Sequence, residues 1–389
     1  MASDKNIFLK AFANESLYRL TAVFPVAISM AVCSGMGVSA GIIGAAIACV
    51  LIATQNTKYL MPVFLSYSVI AYTFTNYGLS TAATGVALSG VLLIASAFLG
   101  LEIKKLIFKP AVSALMLATA INITALETTN YFGIGAKGST VGEILRDYTS
   151  LGFHANWRGV LFGTIVLVIM VTYPRKFKKL DKTLRAPFIA ILGTLILNLF
   201  LNPDVNYTAI SEVGKISFSF AQNFFPTFKA LPDIPGALLT GFALYITTAY
   251  SVADIRKSGN LDFAVTGASN CFCAAFSGAF LPYKSQSYKN FSFAGLPAMA
   301  VIVLATVFLN GYIARIPLPA CAVILIVGAW QSVRWSEFRN VFRDVTSMSC
   351  FLAVLTFMLF FGALKGVLFG AVCSVLGSQF TKPIKNKDK

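Results

Sequence analysis

Charge is scarce in this chain, and the charged groups that catalysis uses are scarcest. Only 12% of the 389 residues are charged, 15 are acidic, and histidine occurs once, at His154. An enzyme site needs a constellation of His, Asp, Glu or nucleophile side chains, and no paired carboxylates face each other within the apolar segments. His154 lies in a loop near Trp157 and Arg158 and reads as a solvated residue. Cysteine occurs seven times, but Cys271 and Cys273 stand two apart with no second pair and no nearby histidine, which is not metal-site spacing. The chain therefore reads as neither an enzyme nor the holder of a metal or cofactor. No cleavable leader is expected, since Met1 to Ser16 carries Lys5, Lys10, Asp4 and Glu15 in place of an uninterrupted apolar run.

What is abundant is apolar surface. Hydrophobic residues make up 57% of the chain, and a mean hydropathy of +0.76 lies well outside the soluble globular range. This composition is that of an integral membrane protein in contact with lipid. The net charge of +16 does not point to nucleic acid, because the basic residues are spread over short loops and form no domain. About fourteen apolar segments follow one another: 20–35, 38–54, 60–76, 79–100, 109–126, 157–173, 186–201, 236–253, 262–278, 283–294, 295–313, 317–333, 345–362 and 364–379. They divide seven and seven about residues 202–235, an external connection with an amphipathic piece at Ile216 to Phe225. The expected organisation is a cytoplasmic tail (1–19), a first repeat (20–201), the connection, a second repeat (236–379) and a cytoplasmic tail (380–389).

Seven spans hand the chain to the opposite side of the membrane, so two such halves form an inverted repeat. The basic residues agree. With the N-terminus inside and Lys284 and Lys289 left aside, 22 lysines and arginines fall inside and 7 outside. Glu127, just past the fifth segment, reads as an outside-facing polar residue.

One stretch breaks the apolar pattern. Gly278 to Asn290 (GAFLPYKSQSYKN) sets two lysines, Ser285, Gln286, Ser287 and Pro282 between long apolar runs. From Pro282 to Gly295 there is room for about half of the roughly 20 residues a crossing helix needs, so this piece reads as a half-helix. A counterpart lies in the third segment, where Pro62 precedes VFLSYSVIAYTF and Ser66 and Ser68 occupy the opening turns. Half-helices entering from opposite sides would aim their N-termini at one point. Each terminus offers unpaired N–H groups and about half a positive charge, which suits an anion. A cation at a helix centre costs about 2.5 to 3.5 kcal/mol to insert and so marks function. Lys289 and Lys284 are the leading binding candidates, with Ser285, Gln286, Ser287, Asn290, Phe64 and Ser66 beside them.

Five stretches resemble the sulfate permease (SulP) family of anion transporters. PVAISMAVCSGMGVSAGI (Pro25 to Ile42) is similar to the family's first-span signature, and FKPAVSALMLATAI (Phe108 to Ile121) to the opening of its fifth span. TGASN (Thr266 to Asn270), GAFLP (Gly278 to Pro282) and RIPLPACAVILI (Arg315 to Ile326) match second-half landmarks in order and spacing. The resemblance implies a substrate-holding core of spans 1–4 and 8–11, a gate of spans 5–7 and 12–14, and a homodimer; the expected location is the cell (inner) membrane, and the basic residues place both termini in the cytoplasm. It also adds site positions at which this chain departs from the family. Val26 stands for a glutamine, Met30 for an aromatic hydroxyl, Thr247 or Thr248 for the eighth-span glutamate, and Lys289 with Asn290 for an Arg-Thr pair. The family's C-terminal STAS domain is not expected here. Without the eighth-span carboxylate, exchange or uniport of a small anion is favoured over coupled symport. A carrier of nucleobases or other small organic substrates on the same fold, and an anion-sensing protein without transport, stay open.

Overall fold

The computed structural model describes residues 19–35, 38–51, 60–101, 106–133, 138–151, 155–201, 231–253, 259–276, 283–285, 315–342 and 344–380, with isolated residues 13, 17, 300, 301 and 304. A π-helical turn, Arg19–Val23, leads into α1 (Phe24–Cys33), followed by α2 (Val38–Leu51). Strand β1 (Leu60–Pro62) precedes α3 (Phe64–Leu99), then come α4 (Lys109–Phe132), α5 (Val141–Leu151), α6 (Trp157–Lys176) and α7 (Ala186–Leu201). The second half holds α8 (Ile234–Ala253), α9 (Asn260–Phe276), β2 (Tyr283–Ser285), α10 (Leu318–Ser332), α11 (Trp335–Val341), α12 (Val345–Phe361) and α13 (Ala363–Phe380). Among the described residues three helices, α3, α4 and α6, are long and apolar enough to cross a membrane, and several shorter apolar helices accompany them.

Polarity is distributed as lipid requires. Phe98, Phe200 and Phe360 are more than two-thirds exposed, whereas Ser66, Thr73, Ser89, Thr240 and Thr247 are fully buried. Water is absent from the bilayer core, so hydroxyls and peptide groups turn inward to find partners.

The third and fourth apolar segments form one element with a joint. A continuous α3 of 36 residues would run about 54 Å, far beyond a hydrocarbon core of about 30 Å. At Gly78 the backbone leaves the helix, with φ 83° and ψ 175°. A Cβ there would meet nothing within 4 Å, so it is the positive φ, not crowding, that calls for glycine. The result is a 64–77 piece and a 79–99 piece.

α3 is the spine of the larger packing unit, with α8 and α9 lying along it. Small residues allow the approach. A Cβ on Gly90 would lie 2.5 Å from the Gly267 carbonyl oxygen, and one on Gly267 would lie 2.6 Å from that of Gly90. Between α1 and α2, a Cβ on Gly41 would sit 2.4 Å from the Ala27 oxygen. Gly41 and Gly267 thus serve close helix contacts. α4 is the axis of a second unit, packed on α10, α12 and α13. Its first turn is held from α13, where Ser374 Oγ accepts from Phe108 N at 2.7 Å and donates to Leu106 O at 2.9 Å.

Two features were not foreseen. Among the described residues the helices are joined by a two-stranded antiparallel sheet of β1 and β2, described below. Helix α5 is amphipathic and opens with a capping box: Glu143 Oε2 accepts from Ser139 N and Thr140 N, and Thr140 Oγ1 accepts from Glu143 N. These backbone donors hold the Glu143 carboxyl below its ordinary range. Ile216 to Phe225, His154 and most of residues 283–313 lie outside the described residues.

The Gly90 and Gly267 contact makes a direct prediction. Gly267→Leu should destabilise the α3–α9 unit by about 1 to 3 kcal/mol, read as a lower thermal-unfolding midpoint of the purified protein in detergent. Gly142→Leu, at a position with open space around it, should not lower that midpoint.

Candidate functional site

The site begins with backbone. β1 pairs with β2 in antiparallel register, Leu60 with Ser285, Met61 with Lys284 and Pro62 with Tyr283. The two polar interruptions singled out in the sequence therefore meet. In strand form their peptide groups find partners in each other, which answers the demand that no backbone donor or acceptor be left unpaired at membrane depth. The chain then turns at Val63 (φ −97°, ψ 102°) into α3, and no side chain caps that end. Tyr67 N donates back to Val63 O at 3.1 Å, so the N–H groups ahead of it, on Phe64 to Ser66, have no helical acceptor and point out of the helix start.

Hydroxyls gather behind this end. Ser66 Oγ and Thr247 Oγ1 of α8 lie 2.7 Å apart. Thr247 Oγ1 also donates to Leu244 O at 3.1 Å, which leaves Ser66 to donate to Thr247. Ser68 Oγ and Thr248 Oγ1 are buried and find no hydrogen-bond partner. A buried hydroxyl without a partner costs about 1 to 3 kcal/mol, so these two are the groups most ready to take one. Farther along, Thr73 and Thr240 repeat the contact at 2.9 Å, and Ser96 and Tyr245 at 2.7 Å.

The apolar candidates also converge. Val26 and Met30, one turn apart on α1, share a buried cluster with Phe64, and the Phe64 ring presses on α10, where a Cβ on Gly328 would lie 2.5 Å from Cζ. Of the twelve candidate positions, Val26, Met30, Phe64, Ser66, Thr247 and Thr248 are buried on α1, α3 and α8. Lys284 and Ser285 are fixed in backbone only, through β2. Gln286, Ser287, Lys289 and Asn290 lie outside the described residues. A groove of about 400 Å³ between α8 and α13 is lined by Leu106, Tyr245, Tyr250 and Leu376 among others. It carries no charged group, and so does not suit an anion.

Glu127 requires a correction. It was expected to face outward beyond the fifth segment, but α4 continues to Phe132 and Glu127 is only 2% exposed. Its Oε1 accepts from Tyr67 Oη of α3 at 2.9 Å, and its Oε2 from Asn130 Nδ2 at 2.8 Å. The spacing carried the signal. Leu115, Thr119, Ile123 and Glu127 recur every four residues and all are buried, so Glu127 continues the inward stripe of α4.

The family model described as the sulfate permease family matches residues 11–356. Among curated proteins the chain is similar to sulfate transporter 4.1, chloroplastic, of Arabidopsis thaliana, at 27% identity over 278 residues, covering 67% of this chain and 40% of that protein. It is similar also to the putative sulfate transporter YvdB of Bacillus subtilis, at 23% identity, covering 94% of this chain and 73% of that one. The chain thus spans well under half the length of the Arabidopsis protein. Among solved structures it shares its fold with the transmembrane domain of the cyanobacterial bicarbonate transporter BicA, at TM-score 0.70 and 18% identity over 94% of this chain and 97% of that one. The structure of SLC26A9 matches with TM-score 0.79 at 13% identity, over 97% of this chain and 66% of that one. The match of the family model over most of the chain, with the fold of its transporters around the uncapped start of α3, shows that the protein belongs to the sulfate permease family, a family of transporters and not of enzymes.

Proposed function

We propose that the protein is a secondary transporter of small anions that works by alternating access, as an exchanger or uniporter. One observation carries this reading: the pairing of β1 with β2 leaves the uncapped N-terminus of α3 beside buried hydroxyls, Ser68 and Thr248, that have no partner. Unpaired helix N–H groups and hydroxyls to which, among the described residues, no carboxylate is bonded favour a negative guest. The relatives named as sulfate transporters and the neighbour named as a bicarbonate transporter support the same class, inorganic oxyanions and their like.

In this reading the chain consists of two inverted repeats, and the break at Gly278 to Asn290 supplies a second half-helix opposite the first. Lys289 gives the guest its compensating charge, and Lys284 stands at the mouth. Lysine is a point charge without arginine's planar fork, so it holds an oxyanion with less directional preference. The unit built on α1, α2, α3, α8 and α9 is the moving core, and the unit built on α4, α10, α12 and α13 is the gate. The working form is a homodimer in the cell membrane with both termini cytoplasmic.

Flux measurements on purified protein in liposomes test this directly. Radiolabelled chloride, bicarbonate, sulfate, nitrate and dicarboxylates are offered in turn, and at least one is expected to enter faster than into empty liposomes; equal rates across the panel would overturn the proposal. Lys289→Gln should cut that flux by about tenfold or more, the scale of one lost charged contact of about 1.5 to 3 kcal/mol. Unaltered flux would remove Lys289 from the site. Thr247→Val deprives Ser66 of its acceptor, and should weaken anion binding and lower the thermal midpoint by an amount corresponding to about 1 to 3 kcal/mol; an unmoved midpoint and affinity would show that the hydroxyl pair is idle.

A further inference from the structure

The groove between α8 and α13 takes no part in the anion site, and its lining shows what kind of group it suits. Its volume of about 400 Å³ falls in the range of small-molecule sites, about 300 to 1,000 Å³. Two tyrosines line it, but both hydroxyls are engaged elsewhere. Tyr245 Oη is bonded with Ser96 Oγ at 2.7 Å, and Tyr250 Oη with Ser374, the same hydroxyl that ties α13 to Leu106 and Phe108. What is left for a guest is ring carbon and aliphatic side chain.

The groove opens toward lipid. Leu106, Val372 and Leu376 of its lining are about half exposed, as suits a surface bathed by hydrocarbon. An unfilled gap there would forfeit dispersion contacts along both walls, so a flexible apolar chain is the natural filling. Bilayer tails are as apolar as the walls, however, and transfer from water cannot be what retains one particular chain. Selection has to come from shape and from whatever lies at the rim.

The rim is basic. Each stretch that lines the groove runs, at the same end, into cations: Lys104, Lys105 and Lys109 flank Leu106, Arg256 and Lys257 begin six residues past Tyr250, and Lys382 stands six residues past Leu376. Against these six the same stretches carry two carboxylates, Glu102 and Asp254. Lys109, in the first turn of α4, is exposed and has no ion pair among the described residues.

We propose that this groove seats an acyl chain of an anionic phospholipid, whose headgroup is held by Lys109 and the basic residues next to it in sequence. Charge selects this occupant over its rivals. A second copy of the chain, at net charge +16, would bring more cations; a zwitterionic lipid offers no net charge; a free phosphate has no use for an apolar groove. Each basic residue at an anionic membrane surface is worth about fivefold in affinity. The site needs no assumption about which side of the membrane the rim faces. Its two walls belong to different packing units, α8 to the one built on α3 and α13 to the one built on α4, so a chain seated there touches both, and its binding is linked to their relative position. That consequence, unlike the site itself, rests on the core-and-gate reading above.

Native mass spectrometry of the purified full chain, titrated with phosphatidylglycerol, phosphatidylcholine or glycerol phosphate, tests the assignment without any transport. Phosphatidylglycerol should bind saturably and at least about fivefold more tightly than phosphatidylcholine, and glycerol phosphate, which has the headgroup charge and no tail, should bind far more weakly than either lipid. Lys109→Gln should cost phosphatidylglycerol about fivefold and leave phosphatidylcholine unchanged. Ala371→Trp, which puts an indole into the groove, should weaken both lipids several-fold. Equal affinity for the two lipids, glycerol phosphate binding as tightly as phosphatidylglycerol, unaltered phosphatidylglycerol affinity in Lys109→Gln, or full binding in Ala371→Trp would each overturn the proposal. Should Ala371→Trp not be recovered folded, Val372→Trp fills the groove from an exposed lining position, with the same expectation. Lipid binding as described in a protein that moves none of the anions would leave this site standing and the transport reading refuted, and the reverse result would do the opposite.

Discussion

A peptide group in lipid has no water to bond, and each one left unpaired costs several kcal/mol. Most of this chain meets that condition with helices. Two stretches interrupted by proline, Leu60 to Pro62 and the one reaching Ser285, cannot, and they meet it by pairing with each other as β1 and β2. The consequences spread outward. Because β1 is fixed, α3 must start at Phe64, and its first N–H groups must face the place where the strands end. The position of the candidate site thus follows from how two discontinuous segments satisfy their own backbones.

The two packing units are joined internally by different chemistry. α3 holds α8 through neutral hydroxyl pairs, Ser66 with Thr247, Thr73 with Thr240 and Ser96 with Tyr245, and it holds α9 through the Gly90 and Gly267 approach and the bond from Asn270 to Ser89. α4 is tied to its neighbours by other means: Trp330 Nε1 donates to Thr124, Ser113 donates to Glu337, and Phe108 N donates to Ser374. Between α3 and α4 the described side-chain hydrogen bond is that of Tyr67 with Glu127. A boundary with dense bonding on either side and little across it is where relative motion costs least.

Much of this was legible in the residues. The apolar segments at 38–54, 109–126, 157–173, 186–201, 236–253, 317–333, 345–362 and 364–379 all appear as helices, most within a few residues at each end. Helix α5 went unread although its Thr140 and Glu143 spacing is a capping signature, because an amphipathic surface helix lacks the long apolar run that marks a span. Glu127 was misplaced because hydropathy ended the fifth segment at its charge, whereas the four-residue stripe from Leu115 showed the same face continuing inward. The contact of Ser66 with Thr247 spans 181 positions, and no local pattern encodes it. It exists because α8 lies along α3, a matter of tertiary packing.

The break at Gly78 can be used as a depth gauge. Helix ends expose carbonyls and N–H groups that water serves best, and around Gly78 the chain shows such a waterline: Tyr77 is 37% exposed, Asn76 Nδ2 returns to Tyr72 O, and Asp233 caps the start of α8 through Gly236 N while its own N–H reaches Thr81. From that waterline to Phe64 the helix descends 14 residues, about 21 Å along its axis. Measured against a hydrocarbon layer of about 30 Å, that plumb line is about two-thirds of the layer's thickness, so the first N–H groups of α3 lie well below the level of Gly78.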